Sequence, residues 1–243
     1  MIKIAFSWDD GAVEDLKLME LSAKYEMPGI FFIPSSNQER SVMTRSEIKI
    51  LDENKFEIGA HTFSHTYLKG LDSSVAETEI LNGKNFLQDL LGKEISHFCF
   101  PGGRFDDNLV RISQKYFKSA RTADTGALIK KPAFLVKPTF HFYNRGINSL
   151  LFHSFNNNYT LFRTIFKIRK NKDYFTLIES VIDALENAPS NNGIIIWGHS
   201  WEINEYNLWN RLEATFEHIN CNMKHSKSTY SDLIRSFDNK TPD

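Results

Sequence analysis

The chain has 243 residues, 41% of them hydrophobic and 24% charged, which reads as one soluble globular domain able to bury a full core without disulfides or a structural metal. Any metal it binds is therefore expected to serve chemistry. The net charge of −1 offers no electrostatic case for nucleic acid or an anionic membrane.

Taken in order, Met1 to Phe6 is too short for a signal-peptide core and runs into a polar motif. No apolar run is long enough to span a bilayer, so the sequence suggests a cytoplasmic protein with no transmembrane segment. Ile2–Ser7 reads as a strand, and Glu14–Tyr25, with Leu16, Leu18, Met19 and Leu21, as a helix. Gly29–Ile33 is a compact apolar run ended by Pro34, the pattern of a buried strand. Thr44–Asn54 starts on an N-cap with Glu47 three residues later, a capping box. Strand Phe56–Ala60 follows, then helix Ser74–Leu91 closed by Gly92, strand Ile95–Phe100, helix Asp106–Tyr116 and strand Phe117–Thr122. Pro138–Arg169 yields no assignment; its Thr139–Asn144 stretch would line a pocket or pack. Thr176–Asn187 is a helix before Pro189, Gly193–Trp197 an apolar strand, Leu208–Ile219 and Thr229–Ser236 helices, and residues 238–243 a frayed tail. Cys99 and Cys221 show no ligand or redox spacing and read as two buried thiols. The 20 Phe, 8 Tyr and 4 Trp read chiefly as core filling, with a few rings free to stack on sugars.

Repeated βα units predict a parallel sheet with outer helices, and this many in one domain favours barrel-like closure. In such folds chemistry sits where strands end. Asp9-Asp10, His61 and His65, Pro101-Gly102-Gly103 and His199 all follow strands. The four-residue spacing of His61 and His65 places both imidazoles on one face of a helical turn, a common way to hold a transition metal. Alone, that pair reads as surface or capping histidines. One Asp completes a two-histidine, one-carboxylate set with open positions. A divalent metal lowers the pKa of a bound water from 15.7 to about 7, and the second Asp would take its proton. An Asx turn accounts for one Asp and Gly11 but not for the histidine pair. His199, on another strand end, could give a proton to a leaving nitrogen or could be a buried, hydrogen-bonded histidine. Gly102 and Gly103 could offer bare backbone N–H groups to an oxyanion, although a plain tight turn explains them as well.

These segments resemble the polysaccharide deacetylase family, the NodB-homology or carbohydrate esterase 4 group. Phe6-Ser7-Trp8-Asp9-Asp10-Gly11 resembles its first motif, Phe56–His65 its second, Phe98–Gly103 its third and Ile194–His199 its last, in order from residue 2 to about 200. The resemblance implies an α/β fold, a distorted and incomplete (β/α) barrel. It implies Asp9 as general base, Asp10, His61 and His65 as metal ligands (usually zinc), and His199 as general acid. The family often carries an Arg two residues before the proline of its third motif. Cys99 stands there, so Arg104 and Arg121 are candidate substitutes that orient the base, and Trp201 is a further candidate for base or substrate contact. The expected unit is one NodB-like catalytic domain over residues 1–237. The expected function is metal-dependent removal of an N-acetyl group from a sugar, on a nucleotide- or lipid-linked precursor in surface-glycan synthesis. A deformylase, an O-deacetylase and a non-catalytic sugar-binding protein are the alternatives.

Overall fold

The computed structural model describes residues 2–131, 133–186, 192–222 and 227–236. Its strands are β1 (Lys3–Asp9), β2 (Gly29–Ile33), β3 (Glu57–Ala60), β4 (His97–Cys99), β5 (Ser119–Arg121), β6 (Leu135–Val136), β7 (Phe140–His141) and β8 (Gly193–Gly198). Its helices are α1 (Asp15–Lys24), α2 (Arg45–Glu53), α3 (Ser73–Leu91), α4 (Asp107–Gln114), α5 (Ile147–Asn157), α6 (Tyr159–Ile168), α7 (Tyr174–Glu186), α8 (Ser200–Glu205), α9 (Trp209–Asn222) and α10 (Tyr230–Arg235). The strands form one all-parallel sheet in the order β6-β5-β4-β3-β2-β1-β8-β7. That is the circular order of a (β/α) barrel, open between β6 and β7, so the expected incomplete barrel is the observed fold.

β2 and β8 are buried along their whole length, because a parallel strand is covered on both faces and reads as a continuous apolar run. One face of the sheet packs Ala5, Ile30, Phe32, Cys99 and Ile195 toward the barrel interior, where Tyr230 and Leu233 of α10 join them. The Phe32 and Tyr230 rings meet edge to face at 5.9 Å. The other face packs against the helices, as where Phe6 meets Phe216 of α9 at 4.9 Å. α10 lies at the strands' N-terminal ends, with the Ser231 backbone N–H donating to Glu57 at the start of β3. The opposite end is left open, and there the candidate reactive groups collect.

The expected boundaries hold to within a few residues, with informative exceptions. β1 runs through Asp9 rather than stopping at Ser7. β6 and β7 have two residues each, too few for any period to show. α8 leaves β8 with only His199 between them, so no loop marked its start. In the unassigned stretch, Asn158 accepts from the Leu161 N–H and caps α6, dividing one apolar segment into two helices. The capping box at Thr44 and Glu47 forms as expected. Cys99 is buried, but Cys221 is exposed near the end of α9, which corrects the reading of two buried thiols. Pro189, Asn187 and the tail 238–243 lie outside the described residues.

Candidate active site

The first reactive group ends β1. Asp9 is the last strand residue, and the chain then turns through left-handed backbone at Asp10 (φ 77°) and Gly11 (φ 60°). Asp is one of the few side chains that tolerates this conformation. The two neighbouring carboxylates thereby acquire different partners. Asp10 Oδ1 lies 3.4 Å from His61 Nε2 and 3.0 Å from His65 Nε2, and its Oδ2 accepts from Trp201 Nε1 at 2.8 Å. Asp9 Oδ2 accepts from Arg121 Nη2 and from the Cys99 thiol at 3.5 Å. Asp9 Oδ1 is buried with no hydrogen-bond partner.

His61 and His65 do converge, but not by the helical turn expected from their spacing. Residues 61–65 form a loop in which Thr62 (φ 64°) and His65 (φ 58°) are left-handed. α3 holds that loop in shape. Glu79 accepts from the backbone N–H groups of Phe63 and Ser64 and from the Ser64 hydroxyl. A Cβ at Gly83 would come within 2.5 Å of the Thr62 carbonyl, so α3 presses directly on the loop backbone.

Do these groups fit a cation? His61 Nδ1 lies 2.8 Å from the Cys99 carbonyl oxygen. A carbonyl only accepts, so Nδ1 carries the proton, and in the neutral ring Nε2 is a bare lone pair. That lone pair faces a carboxylate oxygen, an arrangement satisfied by a proton or a cation between them. Bonds of about 2.0–2.1 Å to a tetrahedral zinc put neighbouring ligand atoms about 3.3 Å apart, close to the two separations observed. Asp10, His61 and His65 thus form a set whose ligand atoms all lie within 4.8 Å of one another. The carbonyl behind His61 is the outer contact that fixes a ligating imidazole. Burial alone would raise the Asp10 pKa, but with protons rather than a cation on the facing His61 and His65 nitrogens, their hydrogen bonds outweigh it and hold the carboxyl far below its usual range.

Across the cavity, His199 Nε2 lies 3.9 Å from Asp10 Oδ2. Its Nδ1 is 2.7 Å from Glu202 Oε2, which also takes His141 Nε2 at 2.8 Å. Arg145 Nε donates to His141 Nδ1 at 2.9 Å, so His141 is the neutral tautomer with Nε2–H turned to Glu202. Burial lowers the His141 pKa to about 4. Burial works against the Glu202 carboxylate too, but its two histidine partners hold it at about 2. Burial also opposes the charged form of His199, yet the bond to Glu202 and the charge of Asp10 raise its pKa above the ordinary value.

A cavity of about 580 Å³ opens over these groups, with Arg40, Tyr67, Trp197 and Trp201 on its walls. Arg121 is fully buried against Asp9, while Arg104 stacks over Tyr67 at 4.7 Å and does not reach the carboxylate. Of the two candidate substitutes for the missing arginine, only Arg121 meets Asp9. Trp201 bonds Asp10 rather than the proposed base. The Gly103 N–H donates to the Phe100 carbonyl at 2.8 Å, so it is not free for an oxyanion. Gly102 keeps its place on the cavity wall at φ 60°. Within Thr139–Asn144, His141 lines the cavity while Phe140 and Phe142 are core. Glu79, Glu202, His141 and Arg145 were not singled out from sequence. For Glu202 a signal existed, since it stands three residues after His199.

Residues 2–117 match the family model for polysaccharide deacetylase. The chain is 22% identical over 127 residues to a Bacillus subtilis protein that carries the name polysaccharide deacetylase, covering 51% of this chain and 46% of that one. It is 27% identical over 114 residues to the peptidoglycan-N-acetylglucosamine deacetylase of Bacillus cereus, covering 46% and 52%. The chain spans about half the length of the curated relatives it matches. By fold it is similar to a Mycobacterium smegmatis protein described as a polysaccharide deacetylase, with TM-score 0.67 and 13% identity over 99% of this chain and 92% of that one. It is similar also to a carbohydrate esterase 4 pseudoenzyme of Bacillus anthracis, with TM-score 0.58 and 13% identity over 96% and 65%.

Proposed function

We propose, from the premise that the chain resembles the polysaccharide deacetylase family over residues 2–117 and has that family's fold, that it is a metal-dependent hydrolase removing an N-acetyl group from a sugar. The observation that carries this reading is Asp10 Oδ1 set against two imidazole nitrogens, with His61 tied from behind to the Cys99 carbonyl. A divalent metal held by Asp10, His61 and His65, most simply zinc, would polarise the amide carbonyl and make a water acidic near neutral pH.

The remaining work falls to the chain's own groups. Asp9 takes the proton of the attacking water on Oδ1, the oxygen left free when Arg121 and Cys99 engage Oδ2. Arg121 fixes the orientation of the Asp9 carboxylate. The Cys99 thiol, whose pKa burial pushes up, stays protonated and serves as a donor. Gly102, beside Tyr67 on the cavity wall, is the remaining candidate for a backbone contact to the developing oxyanion. His199 protonates the departing amine from Nε2, with Glu202 holding Nδ1–H and so the tautomer. Tyr67 is exposed on the cavity wall and offers a ring to a sugar, whereas Trp197 is buried with His141 stacked on it and Trp201 carries the Arg40 guanidinium.

A pure binding protein needs neither a free base oxygen nor a histidine–carboxylate relay, so those two features favour catalysis over a pseudoenzyme of the same fold. Asp9→Asn tests this. The variant should keep its metal by elemental analysis and lose about 10²–10⁴-fold in acetate release. Metal-loaded, folded parent protein that leaves every N-acetylated sugar intact refutes the reading. Formate as product, or loss of an ester-linked acetyl alone, keeps the site and changes the substrate.

A further inference from the structure

The segment between β7 and α7 contributes little to the site, yet it carries the most exposed large hydrophobic side chains among the described residues. Phe152 is 65% exposed, Tyr159 62% and Phe155 58%. α5 and α6 bury Leu150, Leu161 and Ile165 against the body of the protein. Their outer side is a connected run of rings: Phe155 meets Phe162 at 5.1 Å, Tyr159 stacks on Phe162 at 5.9 Å, and Phe162 touches Phe166 at 5.8 Å.

The charge of this segment departs from that of the chain. Residues 142–173 carry Arg145, Arg163, Lys167, Arg169, Lys170 and Lys172 against a single acidic residue, Asp173, next to α7. The whole chain is −1, so its acidic excess lies elsewhere. Arg163, Lys167 and Lys170 line a depression of about 910 Å³ along α6 with Tyr159, Phe162 and Phe166. The Arg169 guanidinium lies 3.6 Å over the Phe166 ring.

We infer that this outer face of α5 and α6 docks on an anionic lipid bilayer, with the rings in the headgroup layer and the basic side chains on lipid phosphates. Interleaved aromatic and basic residues on short amphipathic helices suit an interface, because the rings favour the acyl boundary while each cation near the surface is attracted to the anionic headgroups. Neither helix approaches the length needed to cross a bilayer, and no described helix is long and apolar enough to do so. The net charge argued against an anionic membrane only on the assumption that charge is evenly spread. His153, next to Phe152, and Arg145 line the catalytic cavity, so docking sets the cavity mouth beside the lipid. Resting on the hydrolase reading, that placement selects a lipid-linked sugar over a nucleotide-linked one.

Co-sedimentation with vesicles tests the docking without catalysis. The parent protein should pellet with vesicles of phosphatidylcholine mixed with phosphatidylglycerol, remain in solution with phosphatidylcholine alone, and be released by added salt. The pairs Phe155→Ser with Phe166→Ser, and Lys167→Glu with Lys170→Glu, should each weaken anionic-vesicle binding by at least about tenfold. Circular dichroism and acetate release from a small soluble N-acetyl sugar should be unchanged in both. Folded parent that stays in solution with anionic vesicles overturns the proposal. So does a dimer that the same substitutions dissolve while vesicle binding is absent, since a second copy then covers the face. Protein that binds vesicles and releases acetate from no substrate refutes the hydrolase reading and leaves the docking intact.

Discussion

The two flanks of the cavity are built on different principles. On the metal flank, Asp10, Thr62 and His65 occupy left-handed backbone, each at a cost of about 1 kcal/mol or more, and bring a carboxylate oxygen against two imidazole nitrogens. On the acid flank, His199 follows β8, Glu202 lies in α8 and His141 in β7, and Glu202 accepts from both histidines while His141 accepts from Arg145. The first flank sets lone pairs facing one another, which is stable only with a cation or protons among them. The second is tied together by Glu202 and leaves only His199 Nε2 open to the cavity. A site so divided assigns ion binding to strained turns and proton transfer to regular structure.

The comparison breaks most visibly at Asp10. Asp10→Ala should empty the site of metal and reduce acetate release by roughly 10³-fold or more, since water activation goes with it. Elemental analysis beside a product assay reads both, and chelation of the parent should reproduce the loss, with zinc restoring it. If activity survives with metal gone, the two-flank division is wrong.

Arg121→Met comes next. It removes the buried cation beside Asp9 and leaves an uncompensated charge, which should cost about 3–5 kcal/mol in urea unfolding. Adding Asp9→Asn should recover part of that loss in a double-mutant cycle. Glu202→Gln is smaller and sharper. It should lower acetate release about 10–100-fold while metal content stays at the parent level. Metal loss in that variant would mean that the flanks are not separable.

His97 gives an effect that is absent at neutral pH. It lies at the start of β4, buried between the hydroxyls of Ser119 and Ser231. Burial, with Lys118 and Arg235 nearby, lowers its pKa from 6.5 to about 4. As the pH falls below 6.5 the unfolded chain takes up a proton that the folded chain refuses. Stability is therefore full above 6.5 and declines toward pH 4, by up to about 3 kcal/mol from this group. His97→Gln should flatten that part of the urea-midpoint profile against pH. An unchanged slope would place the acid sensitivity in His141 and the carboxylates.

Much of the N-terminal half was legible from local signals. Gly29–Ile33 matches β2 residue for residue, and the Thr44–Glu47 box marks the start of α2 as formed. Apolar runs and caps depend on neighbours a few residues away, which is why they survive without a fold. The helical face expected for His61 and His65 failed for the same reason. Spacing describes a helix only where one exists, and here Glu79 and Gly83 of α3 impose a loop.

By itself, then, the sequence determined the alternating elements, the strand ends that carry reactive groups, and which residues are chemically able to bind a metal or move a proton. Tertiary structure alone decided which of them meet. Arg121 rather than Arg104 reaches Asp9 because β5, four places from β1 in the sheet order, points its side chain into the barrel interior, across 112 positions of sequence from its partner. Glu202 became the hub of His141 and His199 because β7 and β8 are neighbours. Contacts of that range come from packing a whole sheet, and no local period or propensity encodes them.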